Sequence, residues 1–225
     1  GNGVQIIYGP RVSVIKSNLE DYLETAPDEE FTAGGNDVDA TAHAGVDTNV
    51  DGGTNAGVAE NANTSSAEAT VVETIVISSP ITGLAADLST TPDEAFAGKM
   101  MGDGAVVTPE DSVVRAPEDG EVCFVFETKH AIGFLTDSGV SLLIHMGIDT
   151  VALNGEGFEV FVKNGQKVKK GEPLLGLNLD YLKENAPSLA SPVLCTELED
   201  NQKVRLLKDG QIKAGEALFA IDIYE

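Results

Sequence analysis

The chain has 225 residues, with 14 Lys+Arg against 37 Asp+Glu, a formal net charge of −23 and a pI near 4.2. That balance argues against nucleic acid or an anionic membrane surface as a direct partner. No apolar run reaches the roughly 18–20 residues needed to cross a bilayer, and a hydrophobic fraction of 42% is enough for the core of one or two domains. Without an initiating methionine or a signal peptide, the chain reads as a piece of something longer.

Three regions follow in chain order. Residues 1–27 open on a strand-like run, Val4-Gln5-Ile6-Ile7-Tyr8, and turn at Gly9-Pro10. Val14, Ile15, Asn18, Leu19, Tyr22 and Leu23 then recur at helical spacing. One strand and one helix cannot enclose a core. Residues 28–70 carry nine acidic residues and neither lysine nor arginine, among mostly Ala, Gly, Asn, Thr and Asp. Such a segment cannot bury enough apolar surface to offset the entropy of ordering it, so a flexible acidic linker is expected. Its ends would wander about 35–40 Å apart, and charge repulsion would extend it further.

Residues 71–225 are dense in short β-prone runs (71–77, 122–126, 141–145, 158–162 and 218–223) separated by Gly, Pro, Asp and Asn. Residues 180–185 could form one short helix. Gly165-Gln166-Lys167-Val168-Lys169-Lys170-Gly171-Glu172-Pro173-Leu174 is echoed by Gly210-Gln211-Ile212-Lys213-Ala214-Gly215-Glu216-Ala217-Leu218. This duplication predicts pseudo-symmetric hairpins in an all-β fold, a small antiparallel sandwich or barrel-like domain.

The chemistry concentrates on two histidines. His145 ends the run Leu142-Leu143-Ile144, with a bend at Gly147 and a carboxylate at Asp149 just beyond. His130 lies beyond the apolar stretch 122–126, so two neighbouring strands could bring the rings face to face. A neutral imidazole has one bare nitrogen that can attack phosphorus and one N–H that must be held to fix the tautomer. An arriving phosphoryl group would need donors: a second imidazole, backbone N–H groups or a hydroxyl. Thr128 supplies a hydroxyl two residues before His130, on the same face if the chain is extended there. Histidines beside apolar strands are usually structural, but these two are the only ones outside the linker, which holds His43. Cys123 and Cys195 read as buried free thiols, and two histidines alone are too few for a zinc site.

Several motifs now carry a resemblance. Phe126-Glu127-Thr128-Lys129-His130-Ala131, Asp137-Ser138-Gly139-Val140 and Ile144-His145-Met146-Gly147-Ile148-Asp149-Thr150-Val151 resemble the glucose-type enzyme IIA domain of the bacterial phosphotransferase system. The likeness continues in Ala97-Gly98-Lys99, Gly102-Asp103-Gly104, Ala116-Pro117-Glu118-Asp119-Gly120 and Leu153-Asn154-Gly155-Glu156-Gly157-Phe158, and runs from about Val71 to the C-terminus. It implies an antiparallel β-sandwich on which His145 takes a phosphoryl group from the phosphocarrier protein HPr and passes it to a cysteine of an enzyme IIB domain. His130 would stabilise the group, supported by Thr128. Phe126, Leu143, Ile144, Gly147, Ile148 and Asp149 would rim or support the docking surface. Leu143 stands where some relatives carry an aromatic.

The same resemblance implies no organic cofactor and no metal of its own, although His130 and His145 could enter a zinc site shared with a partner. Residues 1–27 are similar to the C-terminal end of an enzyme IIB domain, through Gly3-Val4-Gln5-Ile6-Ile7-Tyr8-Gly9-Pro10 and the helix ending in Leu23. The implied partners are HPr, enzyme IIB and a membrane enzyme IIC domain of the same permease, with this part at the cytoplasmic face of the membrane. Two alternatives stand beside it. One is a binding module that regulates other proteins through the same face. The other is a biotinyl or lipoyl carrier, suggested by Ala116-Pro117-Glu118-Asp119-Gly120-Glu121-Val122 and the Gly-Glu repeats, with Lys99 before Met100-Met101 as its nearest modifiable lysine.

Overall fold

A computed structural model describes residues 70–225. The segment 1–27 and nearly all of the linker 28–70 lie outside these residues. All strand pairings in the described part are antiparallel. The largest sheet has eight strands. In spatial order they are β13 (Gly210–Ile212), β2 (Gly83–Asp87), β3 (Asp103–Pro109), β11 (Ser191–Cys195), β7 (Ser141–His145), β6 (Ala131–Thr136), β5 (Gly120–Val125) and β9 (Gln166–Val168). A three-stranded sheet joins β1 (Val71–Ser78), β14 (Ala217–Tyr224) and β12 (Gln202–Leu206), and another joins β4 (Val113–Arg115), β10 (Pro173–Leu177) and β8 (Phe158–Val160). Short helices α1 (Glu94–Ala97) and α2 (Leu179–Asn185) complete the described part, with 3-10 turns at Leu88–Thr90 and Thr150–Leu153. The sequence places α2 well, because Asn178 caps it by accepting from the Tyr181 N–H at 3.1 Å.

The apolar runs are explained by two cores. Ile77, Phe134, Leu142, Ile144, Leu174 and Phe219 belong to the main one, while Leu88, Phe96, Ala131, Leu143, Ile148 and Leu194 form a smaller one. Successive side chains of a strand point to opposite faces. Leu142 and Ile144 of β7 therefore enter the main core, and Leu143 enters the smaller one. Burial on both faces is why β7 reads as a continuous apolar run rather than an alternating one.

The duplication is real, but its copies do not close hairpins. Gly171 donates to the Ala116 carbonyl at 2.9 Å and Ala116 donates to Glu172 at 2.8 Å; Gly215 and Ser79 make the matching pair, with Ser79 donating to Glu216. Gly120 pairs with Val168 as Gly83 pairs with Ile212, and Arg115 pairs with Pro173 as Ser78 pairs with Ala217. Each copy thus clasps a distant partner segment, Arg115-Ala116-Pro117 or Ser78-Ser79-Pro80. The turns at Gly171 (φ 85°) and Gly215 (φ 88°) carry the chain out of the large sheet into a small one. A hairpin would require the flanking strands to pair with each other, and β9 and β10 lie in different sheets, as do β13 and β14.

Candidate functional site

Two adjacent strands bring the histidines together. In the β6–β7 pairing Ala131 stands opposite His145, and Met146 donates to the His130 carbonyl at 2.8 Å. The two rings meet edge to face with centroids 4.8 Å apart. His130 is fully buried and His145 is 4% exposed.

His130 reaches this position from a turn, not from an extended strand. Phe126 donates to Ala131 across the end of the β5–β6 hairpin, Lys129 donates to Phe126 at 2.8 Å, and Lys129 takes a left-handed φ of 58°. The expectation that Thr128 and His130 share a strand face is therefore wrong in its geometry: residues 127–130 form the turn. The two side chains meet all the same, with Thr128 Oγ1 2.7 Å from His130 Nδ1. A hydroxyl can donate or accept there. Nε2 of His130 is buried and has no hydrogen-bond partner among the described residues. A buried polar atom left in this state calls for a functional explanation.

His145 is held differently. Its Nδ1 lies 2.9 Å from the Gly147 carbonyl oxygen. A carbonyl only accepts, so Nδ1 carries the proton and Nε2 keeps a bare lone pair. Gly147 adopts φ 75°, and a Cβ there would fall 2.7 Å from Thr150 Cγ2 and 2.9 Å from the Ser188 carbonyl. Only glycine turns the backbone back on the ring at this position without a clash.

Burial keeps both rings neutral. Desolvation lowers the His145 pKa to about 4, against a smaller opposing effect of the Gly147 carbonyl. Desolvation, followed by the neighbouring His145, lowers that of His130 to about 3. A nucleophilic imidazole has to be unprotonated at the attacking nitrogen, and both rings meet that condition at neutral pH.

Aromatic rings frame the pair. Phe96 of α1 lies 5.0 Å from the His145 ring, Phe126 lies 5.4 Å from His130, and Phe124 meets Phe126 edge-on at 5.1 Å. Of the docking residues expected from sequence, Phe126 is half-buried and Asp149 is exposed, in a left-handed conformation (φ 56°). Gly147 and Ile148 are buried beside the ring. Leu143 and Ile144 do not reach the surface, at 0% and 1% exposure, so they support the histidine from below rather than rim it. Their burial follows from the packing on both faces of β7.

Sequence reasoning missed Phe96 and Ser191. Phe96 had a usable signal, since Thr91-Pro92-Asp93 is a turn followed by a helix cap, and Asp93 indeed accepts from the Phe96 N–H at 3.0 Å. Ser191 accepts from the Gly147 N–H at 3.0 Å across 44 residues of sequence, which no local motif reveals.

Among the described residues, no group of three or more His, Cys, Asp or Glu is placed to hold a metal. The two imidazoles would need ligands from outside to do so. Cys195 is buried, which pushes its thiol up to about 11, and no disulfide joins it to Cys123. Lys99 follows α1 and pairs with Asp103 at 2.9 Å; it does not sit at the tip of a strand hairpin, as a carrier lysine would. The arrangement as a whole is a neutral nucleophilic nitrogen, fixed in one tautomer, beside a second ring with a spare nitrogen.

Comparison with known proteins agrees with that chemistry. Residues 75–201 match the model of the family described as phosphoenolpyruvate-dependent sugar phosphotransferase system, EIIA 1. The chain is 36% identical over 225 residues to the PTS system glucoside-specific EIICBA component of Staphylococcus carnosus (strain TM300); the match takes in 99% of this chain but only 29% of that protein. The structure of the glucose permease IIA from Mycoplasma capricolum superimposes with a TM-score of 0.62 at 34% identity, covering 66% of this chain and 96% of that one. The fold is the β-sandwich of that protein, and the carrier-domain alternative falls with it. The chain belongs to the EIIA 1 family of the sugar phosphotransferase system and contains a glucose-type enzyme IIA domain, a phosphotransferase component.

Proposed function

We propose that Nε2 of His145 is the phosphoryl acceptor of this domain. The single observation that carries the reading is the bond from Nδ1–H to the Gly147 carbonyl, which leaves the attacking lone pair on Nε2. The donor is phospho-HPr. The Nε2 lone pair forms a bond to phosphorus in line with the breaking P–N bond, whose electron pair returns to the donor imidazole. Loss of the group reverses the roles: a thiolate of an enzyme IIB domain attacks phosphorus, and the electron pair of the breaking bond returns to Nε2. A loose phosphoryl transition state asks mainly for positioning and charge stabilisation. Thr128 donates its hydroxyl proton to His130 Nδ1, so that His130 Nε2–H is left to donate to the phosphoryl oxygens. The otherwise unpartnered state of that nitrogen supports this role. Phe126 and Asp149 belong to the docking face around the ring, with the buried Phe96 and Ile148 supporting the ring from within the small core.

We further propose the division into an enzyme IIB end at 1–27, an acidic tether at 28–70 and the enzyme IIA domain at 71–225. The family match begins at residue 75, and the 36% relative, named as an EIICBA component, aligns with nearly the whole chain. A tether of this composition would raise the effective concentration of acceptor near donor to roughly millimolar. The parent protein would then take up and phosphorylate a sugar through a membrane enzyme IIC domain, with this part at the inner face of the membrane. The test is incubation with phosphoenolpyruvate, enzyme I and HPr, read by intact mass. An acid-labile gain of about 80 Da, absent from His145→Gln, is expected. No gain in the unsubstituted protein would refute the phosphocarrier reading.

A further inference from the structure

The loop that follows His145 is pinned by three successive backbone N–H groups. Met146 donates to the His130 carbonyl at 2.8 Å, Gly147 to Ser191 Oγ at 3.0 Å and Ile148 to the Ser188 carbonyl at 2.9 Å. Two of these acceptors are backbone atoms. Only the middle one is a side chain, and it holds the residue whose carbonyl fixes the His145 tautomer.

Ser191 is well built for that task. It is 1% exposed and opens β11, where it pairs with Val107 of β3. The following Pro192 disfavours a helical backbone at Ser191 and keeps it extended. Its own hydroxyl proton goes to the Leu189 carbonyl at 2.8 Å, which turns an oxygen lone pair toward the Gly147 N–H. The result is a relay of four groups: His145 Nδ1–H to the Gly147 carbonyl, the Gly147 N–H to Ser191 Oγ, and the Ser191 hydroxyl to the Leu189 carbonyl. Every donor in it is buried or nearly so, which leaves no water to substitute for a missing acceptor.

We infer that Ser191 is a positioning residue for phosphoryl transfer: it anchors the Met146–Gly147 peptide on one side of the Gly147 Cα, while the Ile148 N–H bond to Ser188 anchors the Gly147–Ile148 peptide on the other, so that the Gly147 carbonyl keeps the proton of His145 on Nδ1. The inference rests on the reading of His145 Nε2 as acceptor, but acts one step earlier, on the unphosphorylated ring. Without the hydroxyl, the Gly147 N–H is left without an acceptor in a dry site and the Met146–Gly147 peptide keeps only the Thr150 bond to its carbonyl, so the turn at Gly147 can shift and carry the Gly147 carbonyl off the ring. The proton of His145 is then free to sit on either nitrogen, and the fraction of rings with Nε2 bare falls.

The test uses the full chain with Ser191→Ala and Ser191→Thr. Two properties are read: the tautomer of His145, from the imidazole nitrogen signals in long-range proton–nitrogen NMR, and the rate of phosphoryl uptake from phospho-HPr. In the alanine variant the Nδ1–H signature gives way to a mixed one and uptake slows by about tenfold or more. Threonine, which keeps the hydroxyl, restores both. Should the alanine variant fail to fold, Ser191→Cys fills nearly the same volume with a weak acceptor and is expected to show the same two changes. A variant that keeps the Nδ1–H signature and the unsubstituted rate overturns the inference, even if its melting temperature drops, because Ser191 would then be only structural. If the unsubstituted protein takes up no phosphoryl group, the proposed function fails, while the tautomer comparison still decides the role of Ser191.

Discussion

The two histidines of the site are the same residue type, buried in contact, yet they are held in opposite ways. His145 sits at the end of a strand packed on both faces, and its ring proton goes to a backbone carbonyl that can only accept. His130 sits in a turn with a left-handed residue before it, and its Nδ1 meets a hydroxyl that can give or take a proton. A backbone partner fixes one tautomer for good. A hydroxyl partner that donates to Nδ1 instead puts the ring proton on the far nitrogen, where it can reach a ligand. The first arrangement suits a nucleophile that must always present the same lone pair. The second suits a stabiliser whose partner arrives and leaves.

That contrast can be broken in order of effect. His145→Gln removes the nitrogen proposed as the acceptor, so phosphoryl uptake from phospho-HPr should vanish; any acid-labile mass gain in this variant would place the acceptor elsewhere. His130→Ala should leave an acceptor in place but slow transfer by about 10²–10³-fold, the usual loss when one charge-stabilising donor is removed. Rapid-quench kinetics with phospho-HPr would check it, and an unchanged rate would strip His130 of its role. Thr128→Val deletes only the hydroxyl that sets the His130 proton. Transfer should slow by about tenfold, the general-range effect of losing a group that orients a functional histidine, and Thr128→Ser should recover it.

The smallest expected effect is on stability. In the unfolded chain both rings protonate near the ordinary 6.5, whereas in the folded protein they do so only near 4 for His145 and 3 for His130. Between those values the unfolded chain binds more protons. The contribution of the neutral pair is therefore complete above about pH 6.5 and is lost as pH falls toward 4 and then 3. Urea midpoints measured from pH 7 down to 4 should fall less steeply in the His130→Gln, His145→Gln double variant. Parallel curves would mean that the pair is not kept neutral by burial.

What could be read from the sequence follows the range of each interaction. The β-rich fold, α2 and the histidine pair were legible, because strand periodicity, Asn178 and the motif around His145 are local. The link from Thr128 to His130 was also legible, but for the wrong reason, since a turn and a strand can both bring side chains two residues apart together. Leu143 and Ile144 could not be told from rim residues, because a strand buried on both faces has the same composition as an apolar docking edge. Ser191 was out of reach: its bond to Gly147 depends on β11 lying beside β7, which no window of sequence contains. The repeat showed only half of itself, since the clasped partners beginning at Ser79 and Ala116 share only a following proline and the glycines Gly83 and Gly120.

The central claim is that the Gly147 carbonyl selects the reacting nitrogen of His145. Phosphorylation of nitrogen-15-histidine-labelled protein by phosphoenolpyruvate, enzyme I and HPr, followed by phosphorus–nitrogen coupling in NMR, reads that nitrogen directly. The account predicts coupling to Nε2 of His145, with Nδ1 still protonated. Coupling to Nδ1, or to either nitrogen of His130, would contradict it.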